Sequence, residues 1–535
     1  MFNIKKLNRR NFLKTIGFFT ALASFKLSAS SLESVNFIHG VASGDPTEDK
    51  IILWSRVTSN NKSNVQVTYE ISSDKEFRNL ILKGQKSIGA KSDFTIKVDA
   101  TIPREYRGAE IFYRFRSGNS ISDIGRTSTL PKSKKSFKVA VFSCSNFPSG
   151  YFNAYEAASN EKSIDLGIHV GDYIYEYKLG EYATENATTL GREPLPNKEI
   201  ISLKDYRLRH AQYKSDKDLQ RLHASMPIIC AWDDHEISND TWSNGAENHQ
   251  ADEGSFYYRK RNALKAYFEW MPVREPKKKE NNWKQYKVGN LLDIKLLETR
   301  LSSRTQQINL LNFIRPNSSF DREGFLKSLN SKKREMLGPN QLNFIKDNTE
   351  SDGSWNLYAQ QVLLASLKLP PIPNEIINNL PEYQDYFKLI IREDLPYNFD
   401  AWDGYPTERK EFLSIVGGKS NKNLFVAGDT HNCWVNNIEF NRKFYGVELG
   451  APSITSPGAA ENFSGLIPPE NLEQGIIAKN PNLKWTNLSN RGYVTIDFKE
   501  GSADVEFKGI DNISSKMYKS KILKKFTILP GKKII

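Results

Sequence analysis

Apolar and polar positions alternate with two different periods along this chain, and the change comes near residue 133. Over 36–132 the apolar runs are short, rich in β-branched and aromatic residues, and separated by turn residues. Residues 51–57, 64–70 and 111–115 read as strands, the second alternating at a period of two, so this region is expected to be a small β-sandwich. The polar stretch 130–135 reads as a linker. Beyond it, continuous apolar strands alternate with longer segments of helical character. Such strands belong in sheets covered on both faces. Four of them, at 138–142, 165–170, 227–231 and 424–427, run straight into turns crowded with ionisable or hydroxyl side chains. In open α/β sheets function collects beyond the carboxyl ends of the strands, and all four obey that rule. The pattern predicts an α/β catalytic region over 133–535 behind a β-sandwich over 36–132, with loops at 190–200 and 274–284. No internal repeat is present.

Composition changes the picture mainly at the ends. The chain has 535 residues and a formal charge of +13. Residues 1–30 hold six basic residues and no acid, and without them 69 basic residues stand against 62 acidic ones. That balance favours anionic substrates weakly and does not indicate a reader of nucleic acid. Asn8-Arg9-Arg10-Asn11-Phe12-Leu13-Lys14 resembles a twin-arginine export signal, with Asn8 in the usual Ser/Thr place. The apolar run at 15–25 is shorter than the roughly 20 residues of a spanning helix. Lys26 ends it, and small residues at 28–31 follow. Residues 1–30 are therefore expected to be a signal peptide read by the twin-arginine export machinery, leaving no transmembrane anchor after processing and a periplasmic or secreted protein. An N-terminal anchor helix is the alternative. Three cysteines, Cys144, Cys230 and Cys433, allow at most one disulfide. Folding before export would let a cysteine take up a metal first. From Lys508 onward eight lysines stand against one aspartate.

The turns carry the chemistry. Ser143-Cys144-Ser145 follows the first strand, Gly171-Asp172-Tyr173-Ile174-Tyr175 the second, Trp232-Asp233-Asp234-His235-Glu236 the third and Gly428-Asp429-Thr430-His431 the fourth. Singly, Asp172 fits an ordinary turn and Cys144 a small buried apolar side chain. Four ionisable residues directly after an apolar strand are different, because buried charges must be paired or metal-bound.

Taken in order, these blocks resemble the alkaline phosphatase D family of the metallophosphoesterase superfamily. Gly40-Val41-Ala42-Ser43-Gly44-Asp45-Pro46, Ala401-Trp402-Asp403-Gly404-Tyr405-Pro406 and Ser453-Ile454-Thr455-Ser456-Pro457-Gly458 extend the resemblance over nearly the whole chain after residue 30. It implies a four-layer α/β core of two packed sheets flanked by helices, with metals at the strand ends. Asp172 would bridge two metals. Cys144, Tyr175 and His431 would bind iron(III), which suits a thiolate. Asp234 and Asp429 replace neutral donors of the superfamily and argue for calcium, with Asn239 as a further oxygen donor. His235 matches the superfamily histidine near the leaving group. Arg207, Arg209, Arg300 and Arg304 are candidates for clamping phosphate. The implied activity is hydrolysis of phosphate monoesters, and of diesters, by metal-activated water without a covalent phosphoenzyme. A phosphodiesterase or phospholipase D-type activity on phospholipid or nucleotide-type diesters is the rival on the same site. A non-catalytic exported binding protein is the rival of another class.

Overall fold

A computed structural model describes residues 35–59, 63–349, 353–380, 383–418, 420–463 and 465–535. The expected signal peptide lies outside these residues. Strands form at Lys50–Arg56, Val65–Ser72 and Ile111–Ser117, and at Ser136–Phe142, Leu166–His169, Ile228–Cys230 and Asn423–Ala427. Residues 191–202 and 274–283 are without helix or strand.

Two large sheets make the centre of the molecule. One has nine strands and the other seven. In the first, Ser136–Phe142, Leu166–His169 and Ile228–Cys230 run parallel side by side. In the second, Leu292–Leu296, Trp355–Ala359, Asn423–Ala427 and Lys443–Gly450 are parallel neighbours. The sheets face each other across one apolar layer that joins Val139, Val141 and Ile168 to Ile294, Leu357 and Val426. Helices Asn153–Ser159, Leu203–Lys214, Lys217–Ser225 and Phe256–Trp270 cover the outer face of the nine-stranded sheet. Gly338–Asn348 and Pro406–Val416 cover the outer face of the other. The order is helix, sheet, sheet, helix, the four-layer α/β core that the resemblance implies.

The N-terminal region is a sandwich of unequal parentage. A smaller five-stranded sheet holds Val65–Ser72, Leu80–Ile88 and Ile111–Ser117. The sheet facing it is made by Val41–Gly44, Lys50–Arg56 and Thr95–Thr101, which are also the last three strands of the nine-stranded sheet. Gly44 pairs in parallel with Ile228. Asp45 locks the junction: its buried carboxylate accepts from Tyr286 Oη at 2.5 Å, from the Arg274 N–H at 2.6 Å and from Lys284. Among the described residues no helix is long and apolar enough to cross a membrane. All three cysteines are buried and free.

Candidate metal centre

The chemistry-bearing turns meet at one edge of the two sheets. Cys144 N–H donates to Gly171 O at 3.1 Å, Ser145 N–H to Asp172 O at 2.8 Å and Ile454 N–H to Ser143 O at 3.0 Å. Glu236 ties the next pair together. It accepts from the N–H groups of Tyr173 (2.6 Å), Asp233 (2.7 Å) and Asp172 (3.1 Å). Burial pushes its carboxyl up to about 8 against these bonds. Gly171 has φ +119°, and a Cβ there would stand 2.4 Å from the Cβ of Asp233, so only glycine fits. Cys144, Asp172, Asp429 and His431 all have left-handed backbone, with φ between 55° and 64°. Each such non-glycine residue costs about 1–3 kcal/mol and persists where its surroundings over-determine it, as at functional sites.

Three groups of donor atoms result, each within 4.8 Å: Cys144, Asp172 and His431; Asp172, Asp234 and His235; Asp233, Asp234 and Asp429. Asp172 is shared by the first two and Asp234 by the last two. Tyr175 joins the first group, its hydroxyl 3.0 Å from Asp172 Oδ2 and 3.4 Å from His431 Nε2. Ser456 Oγ donates to that hydroxyl at 2.6 Å. His431 Nδ1 lies 2.7 Å from Pro457 O, which makes it the protonated nitrogen and leaves the Nε2 lone pair for the group.

This donor set fits cations. Asp172 Oδ1 and Asp233 Oδ2 are buried and without a hydrogen-bond partner. Burial, and then neighbouring carboxylates, raise Asp172, Asp240 and Asp429 well above the ordinary carboxylate range. Burial and the Asp172 carboxylate do the same to the Cys144 thiol and the Tyr175 phenol. A bound cation reverses this penalty for each of its ligands. The first group offers sulfur, phenol oxygen, imidazole and carboxylate, and the third only carboxylates.

His235 stands apart in its bonding. Its Nδ1 is 2.7 Å from Glu176 Oε2. The other Glu176 oxygen accepts from Asn239 N–H at 2.7 Å and Asn248 Nδ2 at 2.9 Å. The imidazole stacks on Tyr175 with centroids 4.2 Å apart. Burial opposes its charge, but the carboxylates of Asp234, Glu176 and Asp172 outweigh burial and hold the ring proton well above the usual histidine range.

The arginines have other work. Arg207 forms a two-pronged pair with Glu269, both contacts 2.7 Å. Arg209 is buried and spends its guanidinium on the carbonyls of Leu195 (3.0 Å), Pro196 (3.1 Å) and Tyr175. Both guanidiniums are engaged by these partners in this structure. Arg300 is fully buried. It bonds Asp233, grips Asp400 at 2.8 and 3.0 Å, and reaches Asp429 at 3.3 Å and Asp234 at 3.7 Å. Its charge neutralises carboxylates rather than meeting phosphate. Arg304 is committed to Asp400 in the same way. The Asn239 side-chain amide donates to Glu247 at 3.1 Å, and its backbone N–H donates to Glu176 at 2.7 Å.

Glu176, Asp233, Glu236, Asp400 and Ser456 therefore belong to the site although sequence reasoning gave them no role. Glu236 had a signal, as a carboxylate inside the same short block as Asp234, and Glu176 had one as the residue directly after the block that holds Asp172. Asp233 had one too, directly beside Asp234; Ser456 had only its place in the block 453–458, and Asp400 had none.

Comparison with known proteins agrees with this geometry. Residues 139–507 match the family model described as PhoD-like phosphatase, and residues 22–131 match the PhoD-like phosphatase N-terminal domain. Alkaline phosphatase D of Bacillus subtilis (strain 168) is 30% identical over 529 residues, covering 92% of this chain and 82% of that protein. A solved structure described as the structure of PhoD superposes with a TM-score of 0.77 at 28% identity, over 92% of this chain and 90% of that one. Two family models in chain order, a relative aligned along most of both lengths and a shared fold lead to one assignment: the chain belongs to the PhoD-like phosphatase family and is a hydrolase of phosphoric ester bonds.

Proposed function

We propose that this phosphatase works with iron(III) held by Cys144, Asp172, Tyr175 and His431, and with calcium held by Asp234 and Asp429 and sharing Asp172. The observation that carries this reading is the chain of donor groups linked through Asp172, whose Oδ1 is buried without a partner. A thiolate and a phenolate suit iron(III) better than calcium, and the carboxylate group suits calcium. Asp233, in the third group with Asp234 and Asp429, is a further donor that the sequence did not single out. When bound, such cations lower the pKa of water and neutralise charge on a transferring phosphoryl group. Glu176 orients His235 through Nδ1, which places the ring to give a proton to the leaving oxygen. Arg300 keeps Asp233, Asp234, Asp400 and Asp429 together against their mutual repulsion. We further propose residues 1–30 as a twin-arginine signal peptide, 36–132 as the N-terminal unit and 133–535 as the catalytic unit, with the mature protein periplasmic or secreted.

The test is metal analysis with a visible spectrum of the purified protein, alongside rates on an aryl monophosphate and an aryl phosphodiester. Iron and calcium with a phenolate-to-iron band and faster monoester turnover are expected. A fully active, colourless, iron-free enzyme would remove the ligand assignment, and faster diester turnover would select the phosphodiesterase reading. Changing Arg9 and Arg10 to lysine should hold the precursor in the cytoplasm, and normal export of that variant would discard the signal assignment.

A further inference from the structure

Beside His235 the chain builds an aromatic wall of two inclined tyrosine rings. Tyr177 and Tyr182 lie on the loop that leaves Glu176. That loop is held by Leu179 N–H donating to Asn197 Oδ1 at 3.0 Å and Gly180 N–H donating to Thr184 Oγ1 at 2.9 Å. The Tyr177 ring is 5.5 Å from the His235 ring and 5.4 Å from Tyr182, inclined to them by 57° and 43°. Tyr182 lies within 15° of parallel to His235 and within 16° of parallel to Tyr175. Both Tyr177 and Tyr182 are half-buried, with part of each side chain open to solvent. The Tyr182 hydroxyl reaches His431 Nδ1 at 3.3 Å. The Tyr177 hydroxyl bonds no other described residue, so no hydrogen bond accounts for this ring at this place.

We infer that Tyr177 and Tyr182 are specificity residues that seat a planar aromatic ring carried by the leaving group, so that the preferred substrates are phosphate esters with such a ring close to the ester oxygen. The inference rests on the placement of His235 at the leaving oxygen. A leaving group departing beside His235 meets the exposed parts of these two rings next. Aromatic rings gain from offset stacking or edge-to-face contact beyond the area they bury, and a saturated ring of the same size gains only the area. The ring can belong to a simple aryl or arylmethyl ester or to a nucleobase. A nucleobase stands one sugar farther from phosphorus and would lean on the outer part of the wall.

Benzyl phosphate and cyclohexylmethyl phosphate separate the effect from leaving-group chemistry, since both release a basic primary alkoxide. In metal-verified preparations Tyr177→Ala should lower kcat/KM for the benzyl ester about 2- to 10-fold, the size of one aromatic pair. The cyclohexylmethyl ester should lose distinctly less, and Tyr177→Phe should restore the benzyl rate. Wild-type protein should bind benzylphosphonate several-fold more tightly than cyclohexylmethylphosphonate, a measurement that needs no variant. A nucleoside 5′-phosphate run in parallel tells the two sources apart: loss with Tyr177→Ala on the nucleotide as well as on the benzyl ester marks a base on the wall, and loss on the benzyl ester alone marks a simple aryl ring. Equal affinity for the two phosphonates, or equal losses on the two esters, overturns the inference and leaves the hydrolytic reading standing. A metal-loaded wild type that hydrolyses neither ester overturns both.

Discussion

Cys144 shows how little one side chain says alone. By type it is a small buried thiol, like Cys230, and burial raises both thiols. What separates them is company: Cys144 shares a group with Asp172 and His431, whereas Cys230 lies in the apolar layer beneath the helices. Cys144→Ala should therefore lose iron and its colour, and Cys230→Ala should keep both. Metal analysis of the two variants decides, and equal losses would mean general unfolding. Tyr175→Phe should abolish the visible band while retaining much of the fold. His235 makes a second prediction at this scale. An alkoxide leaving group needs a proton far more than a nitrophenolate does, and general acid help is worth roughly 100- to 10,000-fold. His235→Ala should cut turnover of an alkyl phosphate far more than that of p-nitrophenyl phosphate. Glu176→Gln should give the same bias in weaker form, because the ring loses the carboxylate that orients it. Uniform losses on both substrates would take His235 out of the acid role.

At the scale of elements, buried carboxylates hold turns in place. Glu236 gathers three backbone N–H groups. Glu408 accepts from Leu337 N–H at 3.0 Å and Gly338 N–H at 2.8 Å, and Glu448 accepts from Leu364 N–H at 2.5 Å and Ala365 N–H at 2.9 Å. The last residue of helix Leu203–Lys214 is the opposite case. The Lys214 amine is buried 3.0 Å from His223 Nε2, with the Trp54 ring 4.8 Å away and the Tyr173 ring 5.2 Å away. No carboxylate pairs with it among the described residues, and burial lowers its pKa to about 7. The unfolded chain keeps this proton up to about 10.4. Between pH 7 and that value the unfolded state binds more protons, so the group adds stability as pH rises through this window. The slope it contributes is at most about 1.4 kcal/mol per pH unit. Lys214→Met should flatten the rise, as measured by urea unfolding at pH 7, 8 and 9. An unchanged slope would mean that the amine stays charged in the fold.

Across the whole molecule, the N-terminal region is part of the main sheet rather than an appendage. Three of its strands complete the nine-stranded sheet, and Asp45 fastens the join to the second sheet through Lys284 and Tyr286. Removing one partner of a buried charge pair leaves the others unsatisfied, at a cost of about 3–5 kcal/mol. Asp45→Ala should lower the unfolding free energy by roughly 3 kcal/mol and the Tm with it, without touching the metal donors. Calorimetry with metal analysis checks both halves of that statement. A second expectation concerns the cations. They bind the folded chain and relieve the crowded acids, so chelation should lower Tm, and calcium should leave before iron because an all-oxygen group binds more weakly than one containing thiolate.

The sequence by itself determined whatever depends on local pattern. The apolar strands at 138–142, 165–170, 227–231 and 424–427 form because their composition leaves no exposed face, and the turns after them hold Cys144, Asp172, Asp234 and Asp429 because a sheet delivers its strand ends to one edge. Spacing along the chain was enough to bring those residues forward as candidates. Tertiary structure alone decided what meets across long separations. It paired Arg300 with four acids and Arg207 with Glu269, joined Asn239 to Glu176 and Glu247, carried Ser456 to Tyr175, and merged the first strands with the catalytic sheet. A guanidinium looks the same in sequence whether it will face phosphate or a buried carboxylate, and an edge strand does not reveal its neighbour. Those outcomes are set by which surfaces close on one another when the two sheets pack.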